Sequence, residues 1–130
     1  MTSIRKDIHL AADADTVWDA LRDVGNVHER LCPGVLTDAR LDGDARVVTF
    51  ASGFVARELI VDVDEPARRV AYAVVDGPFT HHHASMQITT EPDGGSTLTW
   101  ITDLLPDELA PMVDGLADQG AAAMQQVLGC

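Results

Sequence analysis

A chain of 130 residues is long enough for one domain with a hydrophobic core and too short for two. With 46 % hydrophobic and 23 % charged residues, its composition is that of a globular protein and excludes a disordered chain. Nine basic against twenty-one acidic residues give a net charge of −12, which repels phosphate backbones and anionic lipid headgroups. We therefore expect neither nucleic-acid binding nor a stable association with membranes.

No run of about 18 apolar residues occurs, so the sequence contains no candidate membrane-spanning helix. The segment MTSIRKDIHLAADAD lacks the apolar stretch of a secretory signal, and we expect a cytoplasmic protein, either a monomer or a homodimer. The two cysteines, Cys32 and Cys130, fit neither a disulfide framework nor a zinc motif. Both are expected to be reduced thiols.

The predicted elements begin with a strand over residues 3–11, followed by a helix in DADTVWDALRDV that either Asp13 or Asp15 can cap. The apolar positions at three- and four-residue steps in this helix are Val17, Ala20, Leu21 and Val24. A second, short helix is predicted over NVHERL, ended by Pro33 and Gly34.

Six strand-like runs follow, separated by the turn-forming segments LDGDAR, ASGF, DEPARR, DGPF and EPDGGS, and such short connections predict an antiparallel meander. The chain then returns to helical spacing, with Pro111 in the first turn, where its missing N–H costs nothing. The apolar stripe of this helix consists of Met112, Val113, Leu116, Gly120, Ala123, Met124, Val127 and Leu128. We predict one α+β domain over residues 1–130, a seven-stranded antiparallel sheet wrapped around a long C-terminal helix, with two short helices after the first strand.

Alternation of apolar and polar residues predicts which side chains face the long helix. In FVARELIVDVD the apolar set is Val55, Leu59, Val61 and Val63, and Arg57 belongs to the same set. Glu58 and Asp62 are therefore predicted to face outward. In the other strands, the predicted inward residues are Val70, Tyr72, Val74, Leu98, Trp100, Thr102 and Leu104.

Three consecutive histidines lie in GPFTHHHASMQI. Because Ala84, Met86 and Ile88 form the apolar face of this strand, His82 is predicted to point inward and its two neighbours outward. A three-residue turn at residues 93–95 would pair Ile88 with Trp100 and Met86 with Thr102, since cross-strand partners share a face. This register predicts that His82 lies near Pro106, at the mouth of any pocket under the helix.

A metal site at the histidines would use His81 and His83, which share the outer face. The sequence offers no cysteine or carboxylate at recognisable spacing as a third ligand, so we predict no metal and no cofactor. Adjacent histidines titrate near pH ~6.5 and repel one another once charged, which predicts a modest loss of stability in acid.

Arg57 is the most informative single candidate, because a guanidinium among valines and leucines must find an acceptor. It either binds a carboxylate, carbonyl or enolate oxygen of a ligand, pairs with a carboxylate such as Asp38 or Glu29, or extends outward to solvent. His82 is either a general acid or base or a half-buried residue at the rim.

Further candidates would form the wall of a pocket. Tyr72 and Trp100 suit a flat or ring-shaped ligand, and Met86, Met112 and Met124 suit an adaptable wall, although each is also an ordinary core residue. The sequence has no GxSxG, phosphate-binding glycine loop or CxxC pair, so nothing indicates covalent catalysis or nucleotide binding.

Along almost its whole length the chain resembles the START/Bet v1-like superfamily, in its polyketide cyclase/dehydrase-like branch. The segments that carry the resemblance are IHLAADADTVWDALRDV, CPGV, DARVVTFASGFVARELIVDVDEPARRVAYAVV and GGSTLTWITDLLPDELAPMVDGLADQGAAAMQQVL. The resemblance implies the helix-grip fold with a deep apolar cavity. It also implies binding of, or action on, hydrophobic small molecules such as lipids, sterols, plant hormones and polyketides, with no invariant catalytic motif.

These observations predict a protein that binds a hydrophobic small molecule in an internal cavity. The predicted ligand-binding residues are Arg57, Tyr72, His82, Met86, Trp100, Met112 and Leu116. The alternative is a cyclase, aromatase or dehydratase in which Arg57 stabilises an enolate and His82 moves the proton. Its substrate would be a free small molecule, because a chain at −12 docks poorly with acidic acyl carrier proteins. A protein-interaction module would need an exposed apolar patch, and the sequence shows none.

Overall fold

The computed structural model describes residues 1–129, which form a seven-stranded antiparallel sheet and three α-helices. In chain order the elements are β1 Thr2–Leu10, α1 Ala14–Arg22, α2 Val27–Arg30, β2 Leu36–Asp42, β3 Ala45–Phe50, β4 Val55–Asp64, β5 Arg69–Val74, β6 His81–Thr90, β7 Ser96–Leu105 and α3 Ala110–Leu128. The strand order is β1-β7-β6-β5-β4-β3-β2. The predicted α+β architecture is confirmed, and none of the described helices is long and apolar enough to cross a membrane.

The first helix begins at the residue that the sequence offered as a cap. The carboxylate of Asp13 accepts a hydrogen bond from the backbone N–H of Thr16 at 2.8 Å, which satisfies a donor that the first turn leaves unpaired. The indole N–H of Trp18 donates to Glu65 at 2.6 Å. The Trp18–Glu65 contact fixes α1 against the turn that follows β4.

The long helix covers the core with its small residues. Its buried side is formed by Val113, Ala117, Gly120, Ala123 and Met124. Pro111 lies in the first turn, as predicted. Met112 and Val127, which belong to the predicted apolar stripe, are 43 % and 42 % exposed.

The β6–β7 register differs from the predicted one by two residues. Met86 lies opposite Trp100, and Ile88 lies opposite Leu98, because the connection spans residues 91–95 rather than three residues. A shift of two residues returns every side chain to the same face of the sheet. The predicted inward set of β5, β6 and β7 is therefore confirmed although the pairing was wrong.

The predicted facing is wrong for the first part of β4, up to the bulge between Ile60 and Asp62. Ala56 and Glu58 are buried, whereas Val55 and Val61 are about half exposed, at 51 % and 50 %, and Leu59 is 37 % exposed. The physical reason lies across the strand pair, where Arg46 of β3 opposes Glu58 and neutralises its charge on the inner face. The outer face of β4 consequently carries an exposed apolar row that the sequence analysis did not find. Beyond the bulge, Asp62 is exposed and Val63 pairs with the inner residue Val70, in agreement with the prediction.

Candidate functional site

A cavity of about 100 Å³, partly open to solvent, lies between the sheet and the first half of α3. Small residues make room for it, since Ala56 on the sheet and Ala117 and Gly120 on the helix occupy wall positions. Six of the seven predicted ligand-binding residues line this cavity: Tyr72, His82, Met86, Trp100, Met112 and Leu116. The structure thus brings together side chains from three strands and one helix.

The seventh predicted residue, Arg57, points to the opposite side of the sheet. Its guanidinium donates to the carboxylate of Asp42 at 2.6 Å, and the two side chains are 41 % and 52 % exposed. An ion pair was among the alternatives that the sequence left open, with a different carboxylate as acceptor. Because β4 turns its odd-numbered residues outward here, Arg57 is not among the residues that line the cavity.

The charge inside the cavity comes from a pair that the sequence analysis missed. Arg46 and Glu58 are only 5 % and 8 % exposed, and the Nε–H of Arg46 donates to Glu58 at 2.7 Å. Arg46 also donates through Nη1 to the carbonyl of Val24 at 3.2 Å, and its guanidinium lies 5.0 Å from the ring centre of Tyr72. Both charged side chains border the cavity.

A signal for this pair was present in the sequence. If the ASGF turn closes a tight hairpin, Thr49 pairs with Val55, and three residues further along each strand Arg46 meets Glu58. Opposite charges directly across an antiparallel pair share a face and stabilise one another. The charge pairing alone does not show that this face of the β3–β4 hairpin is the buried one. The position of the cavity shows it.

The cavity floor contains an aromatic hydrogen bond. The indole N–H of Trp100 donates to the hydroxyl oxygen of Tyr72 at 3.1 Å. Tyr72 is 6 % exposed, and burial raises the pKa of its phenol well above the usual range, so the hydroxyl keeps its proton. Because the oxygen accepts from Trp100, the Tyr72 O–H is left to donate into the cavity.

His82 lies at the cavity mouth, as predicted, opposite Leu104 near the end of β7. Its Nδ1 accepts the backbone N–H of Val74 at 3.0 Å, and its ring contacts Phe79 edge-on at 5.0 Å between centroids. Burial, followed by the charges of His83 and His81, lowers the pKa of His82 to about 4. At neutral pH the ring is therefore uncharged, with its proton on Nε2.

His81 and His83 lie on the opposite face of β6 from His82. Within residues 1–129 no group of three or more His, Cys, Asp or Glu side chains is placed to hold a metal ion. Cys32 is buried at the cavity wall as a free thiol, and burial raises its pKa to about 12. The prediction for Cys130 falls outside the described residues.

A family profile described as polyketide cyclase / dehydrase and lipid transport matches residues 1–129. No curated protein matches the sequence.

Solved structures extend the likeness at the level of the fold. The chain is similar to XoxI from Bacillus cereus (17 % identity over 98 % of this chain and 96 % of that one, TM-score 0.88). It is also similar to a Thermobifida fusca protein (26 % identity, 99 % and 97 % covered, TM-score 0.76). A third is norcoclaurine synthase from Thalictrum flavum (18 % identity, 97 % and 85 % covered, TM-score 0.73). The resemblance to a Bet v1-like, helix-grip fold is thereby confirmed.

Proposed function

The chain belongs to the polyketide cyclase/dehydrase and lipid transport family, and from this premise we propose that it binds a hydrophobic small molecule in the cavity beneath α3. The observation that carries the proposal is the lining of that cavity, which is mostly apolar with a few convergent polar groups. Such a combination is typical of small-molecule sites, since apolar walls supply affinity and polar groups fix orientation. Tyr72, His82, Met86, Trp100, Met112 and Leu116 are the proposed ligand contacts.

The size of the cavity restricts the ligand. At about 100 Å³ it is smaller than the 300–1,000 Å³ of typical ligand pockets, and closer to an engineered cavity of about 150 Å³ that holds benzene. A compound with one ring or a short chain suits this conformation. A sterol or a diacyl lipid would require Met112 and Phe54, both exposed at the mouth, to move aside.

The observations favour binding over the cyclase or dehydratase alternative. That alternative assigned enolate stabilisation to Arg57, which lies on the outer face, and proton transfer to His82. A histidine with a pKa near 4 is a weak base at neutral pH and is almost never protonated there, so it suits neither role in proton transfer. An uncharged His82 is instead suited to donate a hydrogen bond to a ligand.

Native mass spectrometry of freshly purified protein, followed by identification of any released molecule, tests the proposal. We expect a stoichiometric organic adduct, or stabilisation against heat by small apolar compounds. Leu116→Trp should abolish both because the larger side chain fills the cavity, whereas Val127→Trp should not, because Val127 lies on the same helix but does not line the cavity. Equal behaviour of the two variants, or an adduct-free mass with no stabilisation by any compound, would contradict the proposal.

A further inference from the structure

The buried ion pair offers unused hydrogen-bonding groups to the cavity. One oxygen of Glu58 accepts from Arg46, and no other hydrogen bond within the described residues reaches this carboxylate. Arg46 donates through Nε and Nη1, which leaves Nη2 without a protein acceptor there. Over residues 1–129, His28 Nδ1 is the single fully buried side-chain polar atom without a partner. The unpartnered atoms of Arg46 and Glu58 are therefore not fully buried, and both residues line the cavity.

Tyr72 adds a donor beside the same pair. The Arg46 guanidinium lies over the Tyr72 ring, and the phenol oxygen already accepts from Trp100. Its O–H has no acceptor among the described residues, so it is available to a ligand. The floor thus combines a carboxylate acceptor from Glu58 with donors from Arg46 and Tyr72.

The electrostatics of this floor discriminate against charged ligands. Because the formal charges of Arg46 and Glu58 cancel, a ligand carboxylate would gain little from the guanidinium and would be repelled by the adjacent carboxylate in a poorly screened environment. A ligand ammonium group would likewise gain little from Glu58 and would be repelled by the guanidinium of Arg46. A hydroxyl group carries no charge, and it can donate to Glu58 while accepting from Arg46 or Tyr72.

We infer that the ligand is an uncharged, hydroxylated apolar compound, of the class of phenols and small alcohols, whose hydroxyl binds at the Arg46–Glu58 pair. The inference rests on the proposed binding function and specifies its chemistry. If the pair were structural only, compounds of the same shape would bind according to their apolar surface, with no preference for a hydroxyl.

Three para-substituted toluenes of similar shape test the inference by isothermal titration calorimetry at neutral pH. They are 4-methylphenol, 4-methylbenzoate and p-xylene, which end in a hydroxyl, a carboxylate and a methyl group. We expect 4-methylphenol to bind about tenfold or more tightly than either of the others, because only its hydroxyl forms hydrogen bonds to charged groups without adding a charge. Equal affinities, or tighter binding of p-xylene or 4-methylbenzoate, would overturn the inference and leave the proposed function intact. If none of the three binds, the inference is also overturned, because a phenol of this size belongs to the class that it names, whereas the proposed function is decided separately by the native mass spectrum and the stabilisation by other apolar compounds.

The variant Glu58→Gln tests the inference independently of the three-compound comparison. It leaves the Arg46 charge uncompensated in the cavity, so the preference should change from 4-methylphenol to 4-methylbenzoate. The matched control is Asp42→Asn, which removes a carboxylate from the exposed pair with Arg57 and should leave the ranking unchanged. An unchanged ranking in a folded Glu58→Gln protein would overturn the inference. If that variant does not fold, the ranking in the unmodified protein decides.

Discussion

The indole ring of Trp100 lies so close to the backbone of Gly120 that a Cβ on residue 120 would stand 2.9 Å from Cζ3 of the ring. Only glycine allows α3 to approach β7 to this distance. The same indole donates its N–H to Tyr72, so the contact couples the position of the helix to the polar floor of the cavity. Gly120 therefore sets both the packing of α3 and the orientation of a proposed ligand contact.

Gly120→Ala is expected to destabilise the protein by about 1–2 kcal/mol. The new methyl group displaces the indole and weakens its hydrogen bond to Tyr72, at a cost of overpacking that exceeds the gain in helix propensity. Gly115 of the same helix is the matched control, because a Cβ there meets no atom within 4 Å. Gly115→Ala should stabilise by about 0.5–1 kcal/mol. Urea unfolding of both variants checks the prediction, and an equal gain in both would show that the indole moves without cost.

Arg46→Ala is expected to cost about 3–5 kcal/mol, because it leaves the Glu58 carboxylate buried without its partner. Arg57→Ala, which removes an arginine of the same strand pair from an exposed ion pair, should have little or no measurable effect. Chemical denaturation of the two variants under one set of conditions makes the comparison. Similar losses would mean that the inner pair is as well solvated as the outer one.

The protein should lose stability in mild acid through His82. Its pKa falls from an ordinary 6.5 to about 4 on folding, so the unfolded chain takes up the proton first as the pH is lowered. The stability that uncharged His82 contributes is fully present above pH 6.5 and is lost as the pH falls from about 6.5 to about 4. The full shift corresponds to roughly 3 kcal/mol, which screening at a partly exposed ring reduces to about 1–2 kcal/mol.

His82→Asn isolates this effect, because the amide oxygen can replace Nδ1 as acceptor for Val74 without titrating. Unfolding free energies at pH 7 and pH 5 should differ less in this variant than in the unmodified protein. His81→Asn should keep most of the difference, since burial is the largest cause of the shift. A pH dependence unchanged by His82→Asn would assign the acid sensitivity to other groups.

The architecture and most of the site follow from local patterns in the sequence. In β5, β6 and β7 one side of each strand is apolar and the other polar, so alternation alone identifies Tyr72, His82, Met86 and Trp100 as inward residues. An error of two residues in the β6–β7 pairing did not matter, because the side-chain period of a strand is also two. The helix cap was likewise predictable from the sequence, because Asp13 lies three residues before Thr16, whose backbone N–H donates to the Asp13 carboxylate.

The facing of the first part of β4 could not be read in this way, because its outer face is the more apolar one. Val55 and Leu59 are exposed, whereas the inner positions are an alanine that leaves room for the cavity and a glutamate neutralised by Arg46. Hydrophobic alternation assumes that the buried side is filled with apolar side chains, and a cavity with a polar floor breaks this assumption. Pairing of charges across the β3–β4 hairpin is the pattern that would have corrected it.

Cys32 provides a last prediction, on access to the cavity. The thiol is 5 % exposed, and burial raises its pKa to about 12, so little reactive thiolate forms near neutral pH. In a Cys130→Ser variant, in which Cys32 is the single cysteine, alkylation by iodoacetamide should be at least about a hundredfold slower in the native protein than in urea. Because Cys32 borders the cavity, a bound compound such as 4-methylphenol should slow the native reaction further. Mass spectrometry of the adduct over time measures both rates, and native labelling as fast as that in urea would show that the cavity wall opens freely.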